Sequence, residues 1–395
     1  MPYFSFSVTK SILQQNFILN DPHLFKIIQN AQSNKKYYSK YNEIFKTFKN
    51  NINSSKIISL KKEQNNKYLF SNKNIIFFLP PNYGLGDVIE YGLAVKKIQE
   101  KFTNMKIGFA FVYKYKKILE DLIKLENVYE YFISKEELDQ YESHFHFTFE
   151  IDELKFQKYN RQDIEKKILG KFNIKDRHKI LFDSKKYHKT IKKISIYPFS
   201  ASPIRSLSPN NIISIIEAFG GDFTIEIIMD NFSTFIKNYK ILNHYKKTKF
   251  IYPMNTNELL KTIKKTQFGI FIDSGPLHLA KLFNLRGVLI ESTVSSKYLV
   301  QGHHKIKIFK NNYKSNYCNG PCGLTNLINL NGSYGCYENL KINFNNIKKM
   351  HNLKSLQRGL VKKKYDHFIK NPVGCIKNIN DNLLLSFIRK QIKDT

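Results

Sequence analysis

Short apolar runs rich in β-branched and aromatic residues alternate with helical periods, and this alternation occurs twice along the 395 residues. From residue 74, "NIIFFL" is followed by a helical period near 87–101, then "KIGFAFV", a period near 115–124, "VYEYFI" and "HFHFTFE". A second series opens near residue 193. It runs "KISIYPF", the helical "SPNNIISIIEAFG", "FTIEIIM", a period near 232–243, "KFIYP", the helical "TNELLKTIKKT" with Thr256 as expected N-cap, "FGIFID", a helix from Pro276, and "GVLIE". Strand–helix alternation of this kind folds as a parallel sheet with helices on both faces, because a parallel strand must be reached by a crossover. Two series therefore predict an α/β protein of two doubly wound, Rossmann-like domains, with ligands at the carboxyl ends of the strands.

The boundaries follow from the pattern. Residues 1–70 form a polar, helical extension in which Asp21 and Pro22 open one helix. Residues 71–190 form the first domain, 191–349 the second, and 350–395 a basic C-terminal tail. With 42% hydrophobic and 14% aromatic residues, a disordered chain is excluded. The formal charge of +32 calls for anionic partners such as acidic lipid, phosphorylated glycan or nucleic acid. Part of that excess accompanies a general abundance of Lys, Asn, Ile, Tyr and Phe. The lysines are spread along the chain without an arginine-rich block, so nucleic acid rests on charge alone and is not expected as a partner. The first 20 residues lack the pattern of a secretory signal, and no apolar run is long enough to span a membrane. Four cysteines make no disulfide scaffold, and a reducing cytoplasm is the expected compartment.

Three stretches carry chemistry. In "PPNYGLGDVIEYG" (80–92), Gly84 and Gly86 match the start of a dinucleotide fingerprint, but Ile89 stands at its third glycine and no Gly-Lys-Ser/Thr follows. What remains is a tight turn that brings Asp87 to a helix start, either as a helix cap or as a presented carboxylate. In "FGIFIDSGPLHLAKLFN" (268–284), Asp273 ends a buried strand, Ser274 and Gly275 make a turn, Pro276 opens a helix and His278 lies in its first turn. Such a helix start can receive phosphate, although His278 also suits a packed position. In "ISIYPFSASPIRSLSPNN" (194–211), a loop with Ser200, Ser202 and Arg205 follows a strand. An arginine fork there matches a diphosphate, or it is a surface charge.

Together these motifs resemble glycosyltransferase family nine, the bacterial lipopolysaccharide heptosyltransferases, over about residues 75–345. "DSGPLHLA" is close to that family's Asp-Thr/Ser-Gly-Pro-x-His signature. The resemblance implies the GT-B architecture, two facing Rossmann-like domains, and transfer with inversion of a sugar from a nucleotide-diphosphate donor, typically ADP-heptose. The acceptor would be a lipopolysaccharide core or related lipid-linked or phosphorylated glycan. It implies Asp87 as the base for the acceptor hydroxyl, with Gly84 and Gly86 in its loop. Ser200, Ser202, Arg205, Asp273, Ser274, Gly275, Pro276 and His278 would surround the donor, with Asp273 holding its turn in shape. The ribose contacts are not fixed by the resemblance: Asp230, at the end of "FTIEIIM", is in position either for a ribose hydroxyl or to cap its loop. No metal or other cofactor is expected, and the enzyme is expected in the cytoplasm, peripheral at the inner face of the membrane.

Where the family has Lys-x-Trp, this chain has Arg205-Ser206-Leu207, which alters the geometry of the diphosphate clamp. Cys318, Cys322 and Cys336 fall in one stretch, with Cys375, His303 or His351 as candidates for a fourth metal ligand, but their spacings depart from paired zinc motifs. A different class of protein, a non-catalytic glycan or nucleotide-sugar binder on the same fold, is separated from the enzyme by Asp87, which a binder does not need.

Overall fold

The computed structural model describes residues 74–79, 84–111, 115–130, 133–146, 168–170, 172–175, 190–200, 205–229, 245, 248–300, 303–314, 320–321 and 371–394, together with the backbone of three short strands nearer the N-terminus. The chain divides into two compact units. One comprises Met1–Lys155 with Glu165–His178, the other Phe156–Ile164 with Lys179–Thr395.

The three N-terminal strands are β1 (Phe4–Ser7), β2 (Lys36–Ser39) and β3 (Ile57–Ser59). The first unit's main sheet uses β4 (Ile75–Phe78), β5 (Ile107–Phe111), β6 (Val128–Glu130) and β8 (Ser143–His146), and β7 (Ile133–Ser134) lies elsewhere. The order is β6-β5-β4-β8, and every pairing is parallel. Every residue of β4 and β5 is buried, which is why both read as unbroken apolar runs rather than alternating ones. Helix α1 (Leu85–Lys101) buries Val88, Tyr91, Gly92, Val95 and Ile98, one face at the helical spacing.

The described residues of the extension are strands, where helices were expected. Its strands β1, β2 and β3 pair antiparallel in the order β3-β1-β2-β7. The helix anticipated at Asp21 and Pro22 lies outside the described residues. The run "VYEYFI" is also divided, since β6 joins the parallel sheet and β7 the antiparallel one. Apolarity marks a strand without naming its partner.

In the second unit, β9 (Lys193–Tyr197), β10 (Thr224–Ile228), β11 (Thr248–Ile251), β12 (Phe268–Phe271), β13 (Gly287–Ile290) and β14 (Ile306–Phe309) form one parallel sheet. Its order is β11-β10-β9-β12-β13-β14. Counted from the first strand of the unit this is 3-2-1-4-5-6, the doubly wound order, which reverses between β9 and β12. The first unit's sheet, counted likewise, is 3-2-1-4. The recurrence seen in the sequence is therefore a recurrence of topology, and the doubly wound α/β expectation holds in both units.

Helix α2 (Pro209–Phe219) opens on Ser208, whose side chain accepts the Asn211 N–H while the Asn211 side chain accepts the Ser208 N–H. Helix α3 (Thr256–Lys264) is capped by Asn255, which accepts the Glu258 N–H at 3.0 Å. Thr256 is its first helical residue and not the cap, since an amide at the preceding extended position reaches the same donor. Helices α4 (Gly275–Leu282) and α5 (Asp381–Lys393) complete the set used below.

Residues 374–393, anticipated as basic tail, are largely helical and enter the core. Ile376, Ile379, Leu384 and Ile388 pack with Ile212, Ile216, Ile225 and Ile270. Asp381 accepts hydrogen bonds from Asn211 Nδ2 at 2.9 Å and Ser214 Oγ at 2.6 Å, fastening α5 to α2. Close approach of β12 and β13 needs glycine, because a Cβ on Gly287 would lie 2.1 Å from the Gly269 carbonyl oxygen.

Candidate functional site

Polar side chains gather where each sheet order reverses. In the first unit α1 follows β4, the strand beside the reversal between β4 and β8. Gly84 is the helix N-cap, and its N–H donates to Asp87 Oδ2 at 2.9 Å. Gly84 has no side chain to return the bond, so Asp87 supplies the one side-chain cap. A carboxylate in the first turn also meets the positive end of the helix dipole. Asp87 is partly exposed, whereas Gly86 is buried within α1.

In the second unit the motifs read separately in the sequence converge. Strands β9 and β12 are neighbours, with Tyr197 opposite Phe271. The two rings stack with centroids 5.0 Å apart and planes at 14°. The Tyr197 hydroxyl and Thr266 Oγ1 are hydrogen-bonded at 2.6 Å, and burial pushes the phenol's pKa upward, so this buried contact stays neutral.

Beyond β9 the loop closes on itself. The Leu207 N–H donates to Pro198 O at 2.9 Å, and the Ser200 N–H to Ser206 Oγ at 3.0 Å. Leu207 is fully buried and anchors the loop in the core. Arg205 is thereby carried across the reversal, where its Nη1 donates to Asp273 Oδ2 at 2.6 Å and to the Asp273 carbonyl at 3.3 Å. Arg205 is 8% exposed and Asp273 2%. Two charges taken so far from water persist only when paired.

Next to this pair is the start of α4. Ser274 is the N-cap residue in extended conformation but makes no side-chain cap bond, and Pro276 has no N–H to satisfy. This differs from α2, α3 and α5, each capped by its own Ser or Asn. His278 is buried in the first turn. Ser202 and Asp230 lie outside the described residues, as do Cys318, Cys322, Cys336 and His351. Among the described residues no group of three or more His, Cys, Asp or Glu side chains could hold a metal. Cys375 is buried beside Gly320, where a Cβ would lie 3.0 Å from the Cys375 Sγ.

Sequence reasoning missed the loop after β13. Glu291, Ser292, Thr293 and Ser296 are all buried there. Glu291 Oε1 accepts the Ser296 N–H at 2.7 Å, the Glu291 N–H donates to Phe309 O at 3.0 Å, and Lys281 Nζ donates to Leu299 O at 2.7 Å. Within that fixed loop, Ser292 Oγ and Thr293 Oγ1 have no hydrogen-bond partner among the described residues, and the same holds for Arg205 Nε. Each such buried group costs about 1–3 kcal/mol. The stretch "IESTVSS" was legible only as the end of a strand.

The second unit is thus a doubly wound α/β unit with an ion pair, an uncapped helix start and orphaned hydroxyls at one sheet edge. No protein-family model matches the chain, and no curated protein matches it in sequence. Among solved structures it is similar to the E. coli heptosyltransferase WaaC with ADP-2-deoxy-2-fluoro heptose, at 7% identity, a TM-score of 0.42, and 60% of this chain covered against 93% of that one. It is similar to a family 9 glycosyl transferase from Veillonella parvula at 11% identity and a TM-score of 0.46, covering 82% of this chain and 98% of that one. A third likeness is to the iron-containing dodecameric glycosyltransferase TibC from enterotoxigenic E. coli, at 11% identity and 0.46, covering 67% and 66%. All three are described as glycosyltransferases or heptosyltransferases.

Proposed function

We propose that this protein transfers a sugar with inversion from a nucleotide-diphosphate donor, ADP-heptose, to a lipopolysaccharide-core or related glycan, as the GT-B enzymes its motifs resemble do. One observation carries the reading: Arg205 and the Asp273-Ser274-Gly275 turn, 68 residues apart in sequence, meet across the reversal point of a doubly wound sheet. Ligands bind at such points, and an uncapped helix start beside an arginine suits a diphosphate.

In this reading the donor's phosphates lie at the start of α4 with Ser274, Gly275 and His278, and Ser200 and Ser202 line the approach. Asp230 takes a ribose hydroxyl. Asp273 neutralises half of Arg205's hydrogen-bonding fork and fixes its plane, so charge on the leaving diphosphate is met by the remaining guanidinium edge and the helix dipole. Asp87 takes the acceptor proton as the new glycosidic bond forms and the nucleoside diphosphate departs. No metal is given a part in these steps. A basic surface of this size would hold the enzyme against acidic lipid at the inner face of the cytoplasmic membrane.

The bond between the Gly84 N–H and Asp87 favours a second reading, in which Asp87 only caps α1 and the protein binds nucleotide sugar without turning it over. Incubating the protein with ADP-heptose and a heptose-deficient core glycan separates the two. Release of ADP coupled to a heavier glycan supports the transferase. Binding without turnover by a folded protein supports the binder.

A further inference from the structure

We propose that Ser292 and Thr293, on the loop after β13, form a subsite for the hydroxyl groups of the donor's sugar. The inference rests on the nucleotide-sugar reading above. Strand β13 lies beside β12, with Phe271 opposite Leu289, so Asp273 and the pair Ser292–Thr293 both follow these strands at the same carboxyl edge. Ser292 is 1% exposed and Thr293 3%, and neither hydroxyl has a partner among the described residues.

The loop does not need those hydroxyls to keep its shape. Its conformation is held by Glu291 on the Ser296 N–H, by the Glu291 N–H on Phe309, and by Lys281 on Leu299. Turn-making, the usual work of Ser and Thr in a loop, is done here by other groups. Orphaned donors in a fixed loop at a ligand edge are what a polar ligand completes.

Charge chooses the part of the ligand. Two carboxylates, Asp273 and Glu291, follow the two strands at this edge, and Arg205 pairs with the first of them. Another phosphate would be repelled. A polyhydroxylated sugar is neutral, and its hydroxyls both donate and accept, which matches Ser and Thr. A site built to bond a hydroxyl rejects a ligand that lacks it.

Calorimetric titration of wild type, Thr293→Val and Ser292→Ala with ADP and with ADP-heptose, alongside melting curves without ligand, tests this. The variants should bind ADP as wild type does and ADP-heptose about tenfold more weakly. Thr293→Val removes an unsatisfied buried hydroxyl at constant shape, so the ligand-free protein should melt at a higher temperature. Equal binding of ADP-heptose by all three proteins, or parallel loss of both ligands, would overturn the subsite. A lower melting temperature for Thr293→Val would do so too, because the hydroxyl would then have a structural partner such as a buried water. Wild type that binds neither ligand removes the nucleotide-sugar reading itself and this inference with it.

Discussion

At the scale of the residue, the Arg205–Asp273 pair has two separable effects. Arg205→Ala leaves the Asp273 carboxylate buried without its partner and should destabilise the fold by about 3–5 kcal/mol in chemical denaturation. The double variant Arg205→Met with Asp273→Leu removes both charges and should recover most of that loss while still failing to bind nucleotide diphosphate. Recovery of stability and binding together would show that the pair is structural only. Asp87 divides the same way. Asp87→Asn keeps an acceptor for the Gly84 N–H and loses only the charge, so stability should fall by no more than about 1 kcal/mol. Transfer should be abolished with donor binding intact. Near-normal turnover by Asp87→Asn would return Asp87 to the role of helix cap.

At the scale of the element, α5 shows where pattern and function part. The stretch 381–393 carries a helical period, with Leu384 and Ile388 on its buried face and Asn380 accepting the Leu383 N–H. That period was there to be read, but the surrounding lysines and the distance from any motif made the segment look like a tail. Leu384→Ala should cost about 2–5 kcal/mol in urea unfolding of the full chain. A change under 1 kcal/mol would mean that α5 is not part of the core. Strand β12, helix α4 and the loop to α2 were legible because a buried strand, a proline at a helix start and a Ser-Pro-Asn-Asn cap are local signals. Strand β14 and the N-terminal strands were not, because their stability comes from partners distant in sequence.

At the scale of the whole molecule, the +32 charge and the nucleotide site make opposite predictions about salt. Association with anionic vesicles should be strong in dilute buffer and fall steeply as salt is raised, since screened surface charge is its only source. Stabilisation by ADP-heptose in a thermal melt should persist through the same titration, because it draws on a buried arginine and fixed dipoles. Loss of both in parallel would point to a nonspecific polyanion binder. Strand–helix alternation, a property of successive residues and their periodicity, was enough to determine two doubly wound units and to mark Asp87, Arg205 and the Asp273–His278 turn as chemically unusual. Only the tertiary structure decided that Arg205 faces Asp273, that α5 closes the core, and that the Ser292 and Thr293 hydroxyls are buried without hydrogen-bond partners among the described residues. Strand order, burial and hydrogen-bond satisfaction depend on residues far apart in the chain, and no local pattern encodes which of them meet.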